Sequence, residues 1–275
     1  MKFTKMHGLG NDFVIVNDEQ VPHNIHELAE QICDRHFGVG ADGLVYILPS
    51  QQADVKMRIF NADGTEAEQC GNAIRCVAKY VYDHQLTNKR QLEIETAVSV
   101  QRVVLTVEDN KVSTVQVDMG APILQGTQIP TVIQSDVVKQ HPIEIEGTTF
   151  HFTAVSMGNP HCVIFVDDAV NTDLHAWGPK IEKHSYFPNK INVEFVTAVS
   201  PQHLDMRVWE RGVGPTLACG TGACATLVAA VLNGKADRSA TVSLAGGDLY
   251  IKWNEADDHV YMTGAATEVY TGVWA

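Results

Sequence analysis

Trp209-Glu210-Arg211-Gly212-Val213-Gly214-Pro215-Thr216-Leu217-Ala218-Cys219-Gly220-Thr221-Gly222-Ala223-Cys224 runs a glycine-broken loop straight into an apolar segment that continues to Leu232. A loop that feeds a helix leaves the first helical N–H groups without intrahelical partners. Those donors, together with the positive end of the helix dipole, favour an anion. Cys219 stands at that end, where a thiol is expected to be biased toward its reactive thiolate form. Glu210 and Arg211 lie in the loop before it. The segment from Ala223 to Leu232 is apolar on nearly every side, the pattern of a helix buried all round.

The arrangement has an earlier counterpart. Asn61-Ala62-Asp63-Gly64-Thr65-Glu66-Ala67-Glu68-Gln69-Cys70-Gly71-Asn72-Ala73-Ile74-Arg75-Cys76 also carries a turn-rich loop into Cys-Gly and then an apolar-periodic run. Asn61 precedes Cys70 by nine positions, as Glu210 precedes Cys219. A second pair of stretches matches, Gly10-Asn11-Asp12-Phe13-Val14-Ile15-Val16 with Gly158-Asn159-Pro160-His161-Cys162-Val163-Ile164-Phe165-Val166. Asn11 and Asn159 are 148 residues apart, and Cys70 and Cys219 are 149 apart. Two matches at nearly one offset indicate an internal duplication spanning about half the chain. The expectation is two lobes with one Cys-Gly helix start in each.

Short apolar strands bounded by glycine and Asx turns outnumber helices, which makes the class α+β rather than a βαβ sheet. Helices are expected over Ile25–Arg35, after Cys70, over 173–184 and after Cys219. Leu92–Val107 and Lys111–Val117 read as strands around an Asp109-Asn110 turn. The strand pattern gives way to turn residues at Met119-Gly120-Ala121-Pro122. The expected organisation is an N-terminal lobe over 1–118, joined by a returning C-terminal segment over 263–275, and a C-terminal lobe over 119–262.

The bulk numbers exclude some functions. With 20 Lys and Arg against 33 Asp and Glu, the formal charge of −13 opposes binding to nucleic acid or to an anionic membrane surface. The longest strictly apolar run, Ala223–Leu232, is too short to span a bilayer. No signal peptide is visible, so the cytoplasm is the expected compartment. The six cysteines then read as thiols rather than a disulfide framework. Neither Cys70 to Cys76 nor Cys219 to Cys224 has the two-residue gap of a zinc knuckle, and no metal is expected. Cys33, Cys76, Cys162 and Cys224 fall in apolar-periodic or mid-helix positions, where a cysteine is a small buried hydrophobe. Cys70 and Cys219 differ, because each sits at a glycine-flanked helix start and each recurs in the duplicate.

Two thiols in two pseudo-symmetric lobes suggest an acid–base pair. A thiolate takes a proton from carbon on one face, and the other thiol returns one on the opposite face. The outcome is inversion of a stereocentre. The N–H groups of Gly71-Asn72 and Gly220-Thr221 could hold a substrate carboxylate and spread the charge that develops when the α-proton leaves.

These residues carry a resemblance. His7-Gly8-Leu9-Gly10-Asn11-Asp12-Phe13, Cys70-Gly71-Asn72, Gly158-Asn159-Pro160-His161 and Glu210-Arg211-Gly212 with Ala218-Cys219-Gly220-Thr221-Gly222-Ala223-Cys224 together resemble the diaminopimelate epimerase family over essentially the whole chain. The resemblance implies two similar lobes, each a β-structure wrapped around a central helix, with the active site in the cleft between them. It implies a cofactor-independent interconversion of LL- and meso-diaminopimelate, in the lysine and peptidoglycan pathway. Carried over by motif, Cys70 and Cys219 resemble the two bases, with His161 and Glu210 in supporting catalytic roles. Asn11, Asn61, Asn159 and Asn192 resemble side chains that read the substrate, and Asn suits a zwitterion because one amide both donates and accepts. Gly71-Asn72 and Gly220-Thr221 resemble the α-carboxylate cradle. Glu210 and Arg211 resemble the pair that engages the substrate's charged groups, Arg211 by a forked grip. Tyr270 resembles a tyrosine that stabilises the family's homodimer.

The first site departs from the frequent Cys-Gly-Asn-Gly-Ala-Arg-Cys pattern by carrying Ala73 and the bulkier Ile74. Gly43 replaces a glutamine that contacts substrate in some members. Two other readings remain: a proline or hydroxyproline racemase on the same scaffold, and a redox-regulated amino-acid-binding protein that pairs Cys70 with Cys219.

Overall fold

The computed structural model describes residues 1–67 and 70–275. In chain order its elements are β1 (Lys2–Gly8), β2 (Asn11–Asn17), α1 (Ile25–Cys33), β3 (Gly43–Leu48), β4 (Val55–Asn61), β5 (Glu66–Ala67), α2 (Gly71–Asp83), β6 (Gln91–Glu95), β7 (Val100–Glu108), β8 (Lys111–Asp118), β9 (His141–Ile145), β10 (Thr148–Ser156), β11 (Pro160–Phe165), α3 (Leu174–Glu182), β12 (Asn192–Ser200), β13 (His203–Glu210), β14 (Gly214–Pro215), α4 (Gly220–Leu232), β15 (Ser239–Leu244), β16 (Gly247–Trp253), β17 (Val260–Gly264) and β18 (Thr267–Val273). The class is α+β, strand-dominated with four helices among the described residues. The chain divides into two compact units, Met1–Asp118 with Thr263–Ala275, and Met119–Met262.

In the first unit β1 pairs antiparallel with β2, β2 parallel with β3, and β3 antiparallel with β4. β4 takes β5 antiparallel and β6 parallel, and β6 continues antiparallel to β7. A parallel pair needs a crossover, and α1 and α2 supply the two. In the second unit β10 pairs antiparallel with β11, β11 parallel with β12, and β12 antiparallel with β13. β13 takes β14 antiparallel and β15 parallel, and β15 continues antiparallel to β16. Here α3 and α4 make the crossovers. The two halves repeat one pairing scheme step for step, so the duplication is legible in topology as well as in sequence.

One helix lies at the centre of each unit. α4 packs against β10, β11, β12, β13, β15 and β16, and Ala223 to Ala230 are all buried. Its apolar circumference is what lets strands surround it. α2 packs against β1, β2, β4, β6, β7, β8 and β18. It is less uniformly apolar and buries Arg75, whose guanidinium donates to the carbonyls of Gly71 (3.2 Å) and Ala265 (3.3 Å) and to Asn72 Oδ1 (2.9 Å). Burying that cation requires each donor to find an acceptor. Ala73 and Ile74 are wholly buried, so the bulkier residue joins the core and α2 still begins at Gly71.

Some element boundaries differ from the sequence expectation. α1 ends at Cys33 rather than Arg35, because Asp34 leaves the helix (ψ 125°) and its carboxylate accepts from the N–H groups of His36 and Phe37. The run Leu92–Val107 is two antiparallel strands. Thr96 closes a turn on Ser99 through both its N–H and its hydroxyl (2.8 Å each). Apolar alternation continues across that turn without glycine or proline, which hides it in the sequence. Asp109 and Asn110 do form the β7–β8 turn, both at positive φ (49° and 61°), the type I′ geometry that suits a two-residue hairpin.

Candidate active site

Each unit holds its candidate residues at equivalent places in the repeated scheme. Asn11 opens β2, and Asn159 immediately precedes β11. Gly43 opens β3, and Asn192 opens β12. Asn61 ends β4, and Glu210 ends β13. Cys70 and Cys219 are the N-caps of α2 and α4, both in extended conformation (φ −150°, ψ 112° and φ −120°, ψ 106°). Gly71-Asn72 and Gly220-Thr221 are the first two residues of those helices, where a backbone N–H has no partner one turn back.

In the first unit the described side chains bonded around Cys70 include two amides. Its Sγ lies 3.7 Å from Asn11 Oδ1, which also accepts from Asn72 Nδ2 at 3.0 Å. Asn11 Nδ2 donates to Asp42 Oδ2 at 2.7 Å, so its carbonyl end is the one turned to the thiol. Asp42 in turn takes Arg35 (2.7 Å), which also bonds Asp12, and Asp12 accepts from Lys5 (2.6 Å). Burial pushes the Asp12 carboxyl up, but Arg35 and Lys5 outweigh it and hold the pKa at about 2. Asn61 is exposed and donates to Thr65 Oγ1 at 2.9 Å. Tyr270, 45% exposed on β18, meets Phe3 edge-on at 6.0 Å.

In the second unit the surroundings are acidic. Cys219 Sγ accepts from Gly222 N (3.4 Å) and lies 3.6 Å from Thr221 Oγ1. Glu210 shares a hydrogen bond with the thiol and another with the Thr216 hydroxyl. Glu194 and His161 form a fully buried pair, Oε1 to Nδ1 at 2.6 Å, and His161 Nε2 meets Asn159 Oδ1 at 3.0 Å. Asn192 is buried, donating to the Pro160 carbonyl (2.8 Å) and accepting from Arg211 N (2.9 Å). Its side chain therefore ties β11 to the Glu210-Arg211 loop, leaving one amide hydrogen for anything else. Arg211 is exposed, its guanidinium 3.4 Å from the Asn189 carbonyl.

The charge state of Cys219 corrects the sequence expectation. Burial pushes its thiol well above the ordinary range, and the charges of Glu210 and Glu194 push it further, against the weaker pull of Thr221 and Gly222 N. The helix start alone favours thiolate, but two carboxylates beside a desolvated sulfur reverse the sign. Burial likewise raises Glu210, with Thr216 and His161 opposing it.

Five further residues shape these two clusters. Glu194 lies in an apolar strand, where a lone carboxylate between Val193 and Phe195 was the available signal. Glu182, at the end of α3, accepts from Trp209 Nε1 and Gly212 N (2.9 Å each) and so pins both ends of the Glu210-Arg211 turn. Thr216 and Asp42 act through Glu210 and Asn11, and nothing in their local sequence marks them. Gly222 is required by packing. A Cβ there would stand 2.8 Å from Glu194 Oε1 and 3.1 Å from Cys219 Sγ.

A protein-family model described as diaminopimelate epimerase matches residues 3–125 and 153–269. The chain is 55% identical over 273 residues to the diaminopimelate epimerase of Acetivibrio thermocellus, covering 99% of this chain and 98% of that protein. It is 53% identical over 277 residues to that of Desulfitobacterium hafniense (99% and 98%) and 53% over 273 residues to that of Methanococcus maripaludis (99% and 99%). Among solved structures, a hydroxyproline epimerase from Agrobacterium vitis superposes with a TM-score of 0.71 at 14% identity, covering 99% of this chain and 90% of that one. A PhzF-family phenazine biosynthesis protein from Bacillus anthracis superposes with a TM-score of 0.69 at 16% identity (99% and 98%). At such identities these likenesses concern the fold.

Proposed function

Because the chain belongs to the diaminopimelate epimerase family, we propose that it interconverts LL- and meso-diaminopimelate without a cofactor, using Cys70 and Cys219 as its two bases. The observation that carries this reading is the repeat of a cysteine-capped helix start in each half of a duplicated chain. In the LL-to-meso or the reverse direction, one sulfur enters as thiolate and takes the α-proton, and the other enters as thiol and delivers its proton to the opposite face. The product leaves with the two sulfurs' protonation exchanged. Cys219 favours the thiol among its carboxylates, which suits it to be the donor when Cys70 is the acceptor.

The remaining residues divide by what they can hydrogen-bond. The backbone N–H groups of Gly71-Asn72 and Gly220-Thr221 serve the carboxylate at the reacting carbon, where the negative charge of the carbanion-like transition state accumulates. Asn11, Asn61, Asn159 and Asn192 read the ammonium and carboxylate groups. Glu210 takes a cationic group, and Arg211, exposed as it stands, closes on a carboxylate. His161 supports Asn159. The chain acts as a homodimer in the cytoplasm, with Tyr270 at the contact. Val269, Tyr270 and Val273 on β18 are all exposed, which gives a dimer an apolar surface to cover.

The test is incubation with LL-diaminopimelate in D2O. Meso product carrying deuterium at the inverted α-carbon is expected, and neither Cys70→Ala nor Cys219→Ala should form it. Full turnover by either variant would refute the two-base reading, and inversion of L-proline in place of diaminopimelate would refute the substrate. Light scattering of the wild type and of Tyr270→Ala, expected dimeric and monomeric respectively, tests the assembly.

A further inference from the structure

Glu182 closes α3 and is only 3% exposed. Its two carboxylate oxygens are divided between two donors. Oε2 accepts from the indole Nε1 of Trp209 and Oε1 from the backbone N–H of Gly212, each at 2.9 Å. Both partners can only donate, so the Glu182 oxygens are the acceptors. Trp209 is the residue before Glu210, and Gly212 is the residue after Arg211. The grip therefore brackets that pair without touching either of its side chains. α3 also makes room for the ring it holds: a Cβ on Gly178 would stand 2.5 Å from Trp209.

The first unit repeats the device with other residues. Phe60 precedes Asn61 at the end of β4, as Trp209 precedes Glu210 at the end of β13. His26, on the crossover helix α1, stands edge-on to Phe60 with ring centroids 5.7 Å apart. Its Nδ1 donates to the Gly64 carbonyl at 2.7 Å, an oxygen that can only accept. Gly64 and Gly212 are both left-handed, with φ of 78° and 77°. A Cβ on Gly64 would meet the His26 carbonyl at 2.9 Å, so the turn is seated directly on the start of α1. In each unit, then, one side chain of a crossover helix touches the aromatic residue before the strand-end position and holds a left-handed glycine in the turn after it. The polarity differs, since His26 gives a hydrogen and Glu182 takes two. Unlike side chains making one tether in both repeats point to the tether itself as the shared feature.

We propose that Glu182 is a positioning residue: its two-pronged grip keeps the Glu210-Arg211 turn in the conformation that presents both side chains to a ligand, and His26 does the same for Asn61. With Glu182 in place, three successive N–H groups of the turn have fixed partners. Arg211 N donates to Asn192 Oδ1, Gly212 N to Glu182 and Val213 N to the Glu210 carbonyl. The backbone is held while the Arg211 side chain stays exposed. A turn ordered in advance lowers the entropy lost on binding. A turn ordered only part of the time weakens apparent affinity by the fraction of molecules that are competent. Once the ligand is bound the turn is in place, so KM should change and kcat should not. This proposal rests on the reading of Glu210 and Arg211 as substrate contacts.

The experiment compares full-length wild type, Glu182→Gln and Trp209→Phe, each labelled with 15N at glycine and tryptophan. In the wild type the Gly212 amide and the Trp209 indole hydrogens should exchange slowly with solvent. Glu182→Gln keeps the shape but turns an NH2 toward one of the two donors. At least one of the two hydrogens should then exchange faster, and KM for LL-diaminopimelate should rise about tenfold with kcat within about twofold. Trp209→Phe removes one prong and keeps the Gly212 bond, so its KM should rise less, about threefold. A fast-exchanging Gly212 amide in the wild type overturns the proposal, as does an unchanged KM in a Glu182→Gln variant whose Gly212 amide has lost its protection. A fall in kcat at constant KM assigns Glu182 to packing and also overturns it. Exchange is read without substrate. A wild type that protects both hydrogens yet leaves diaminopimelate unchanged therefore refutes the proposed function and keeps the tether, whereas one that turns diaminopimelate over with an unprotected Gly212 refutes the tether alone.

Discussion

Among single residues, Cys219 departs furthest from what its position on a helix suggests. Its sulfur carries the burden of burial first and of Glu210 and Glu194 second, all raising the thiol. Removing the nearer charge should therefore increase its thiolate fraction at a given pH. Glu210→Gln is expected to accelerate alkylation of Cys219 by iodoacetamide near pH 8, followed by peptide mass spectrometry. An unchanged or slower rate would mean that Glu210 does not set the sulfur's charge. Asp12 supplies a second residue-level test with the opposite sign. Its folded pKa is about 2 against an ordinary 3.8, so its contribution to stability is complete above about 4 and is lost as pH falls toward 2. Asp12→Asn should flatten the acid limb of the stability curve between those values, as read by urea midpoints. Cys70, Cys219, Asn11 and Asn159 were legible because a duplicated motif repeats their type and spacing, whereas Asn61 and Asn192 have no asparagine counterpart and followed from the family resemblance. Glu182 and Glu194 were not, because Trp209 and Gly212 are brought to the first by helix packing and His161 to the second by strand pairing rather than by nearness in sequence.

At the level of elements, α4 carries Cys219 at its N-cap and the core of its unit at once. Leu227 is wholly buried there. Leu227→Ala should cost about 2–5 kcal/mol in urea unfolding, the range for a buried leucine that leaves a cavity. Gly222→Ala tests the other end of the helix. Alanine suits a helix interior intrinsically better than glycine, so propensity alone predicts a gain of roughly 0.5–1 kcal/mol. The added Cβ would press on Glu194 Oε1 and Cys219 Sγ. The expected result is a loss of epimerase activity of at least about tenfold, measured by α-proton exchange, with no gain in stability. α4 was readable as a buried helix because no polar face interrupts it. The β6–β7 turn was not, since Thr96 makes it with a side-chain hydroxyl that looks like one more strand residue.

For the whole molecule, the duplicated pairing scheme explains how one chain places chemically unlike residues at equivalent positions. In a symmetric dimer every substitution is made twice, so both copies of a site must share one chemistry. Here the repeats occupy one chain, and the position of Phe13 in the first half is His161 in the second, that of Gly43 is Asn192, and that of Asn61 is Glu210. The fold class followed from the strand-rich pattern and the repeat. The strand order did not, because the register between β4 and β6 or β13 and β15 is fixed only once the central helix is packed.

The pairing of β1 with β18 has a consequence for how the protein is made. Lys2 lies opposite Val273 and Lys5 opposite Tyr270, and the terminal amine of Met1 donates to the Trp274 carbonyl at 2.7 Å. β1 therefore finds this partner only after β18 has been made, whereas the second unit is a continuous stretch that can close earlier. Ribosome-stalled chains ending at residue 262 should protect Met119–Met262 from brief proteolysis and leave 1–118 sensitive, with protection of the first unit arriving only once residues 263–275 have been added. Nascent first units would wait, for the length of synthesis of the second, with one strand of their sheet missing, and that interval is when a chaperone has most to cover.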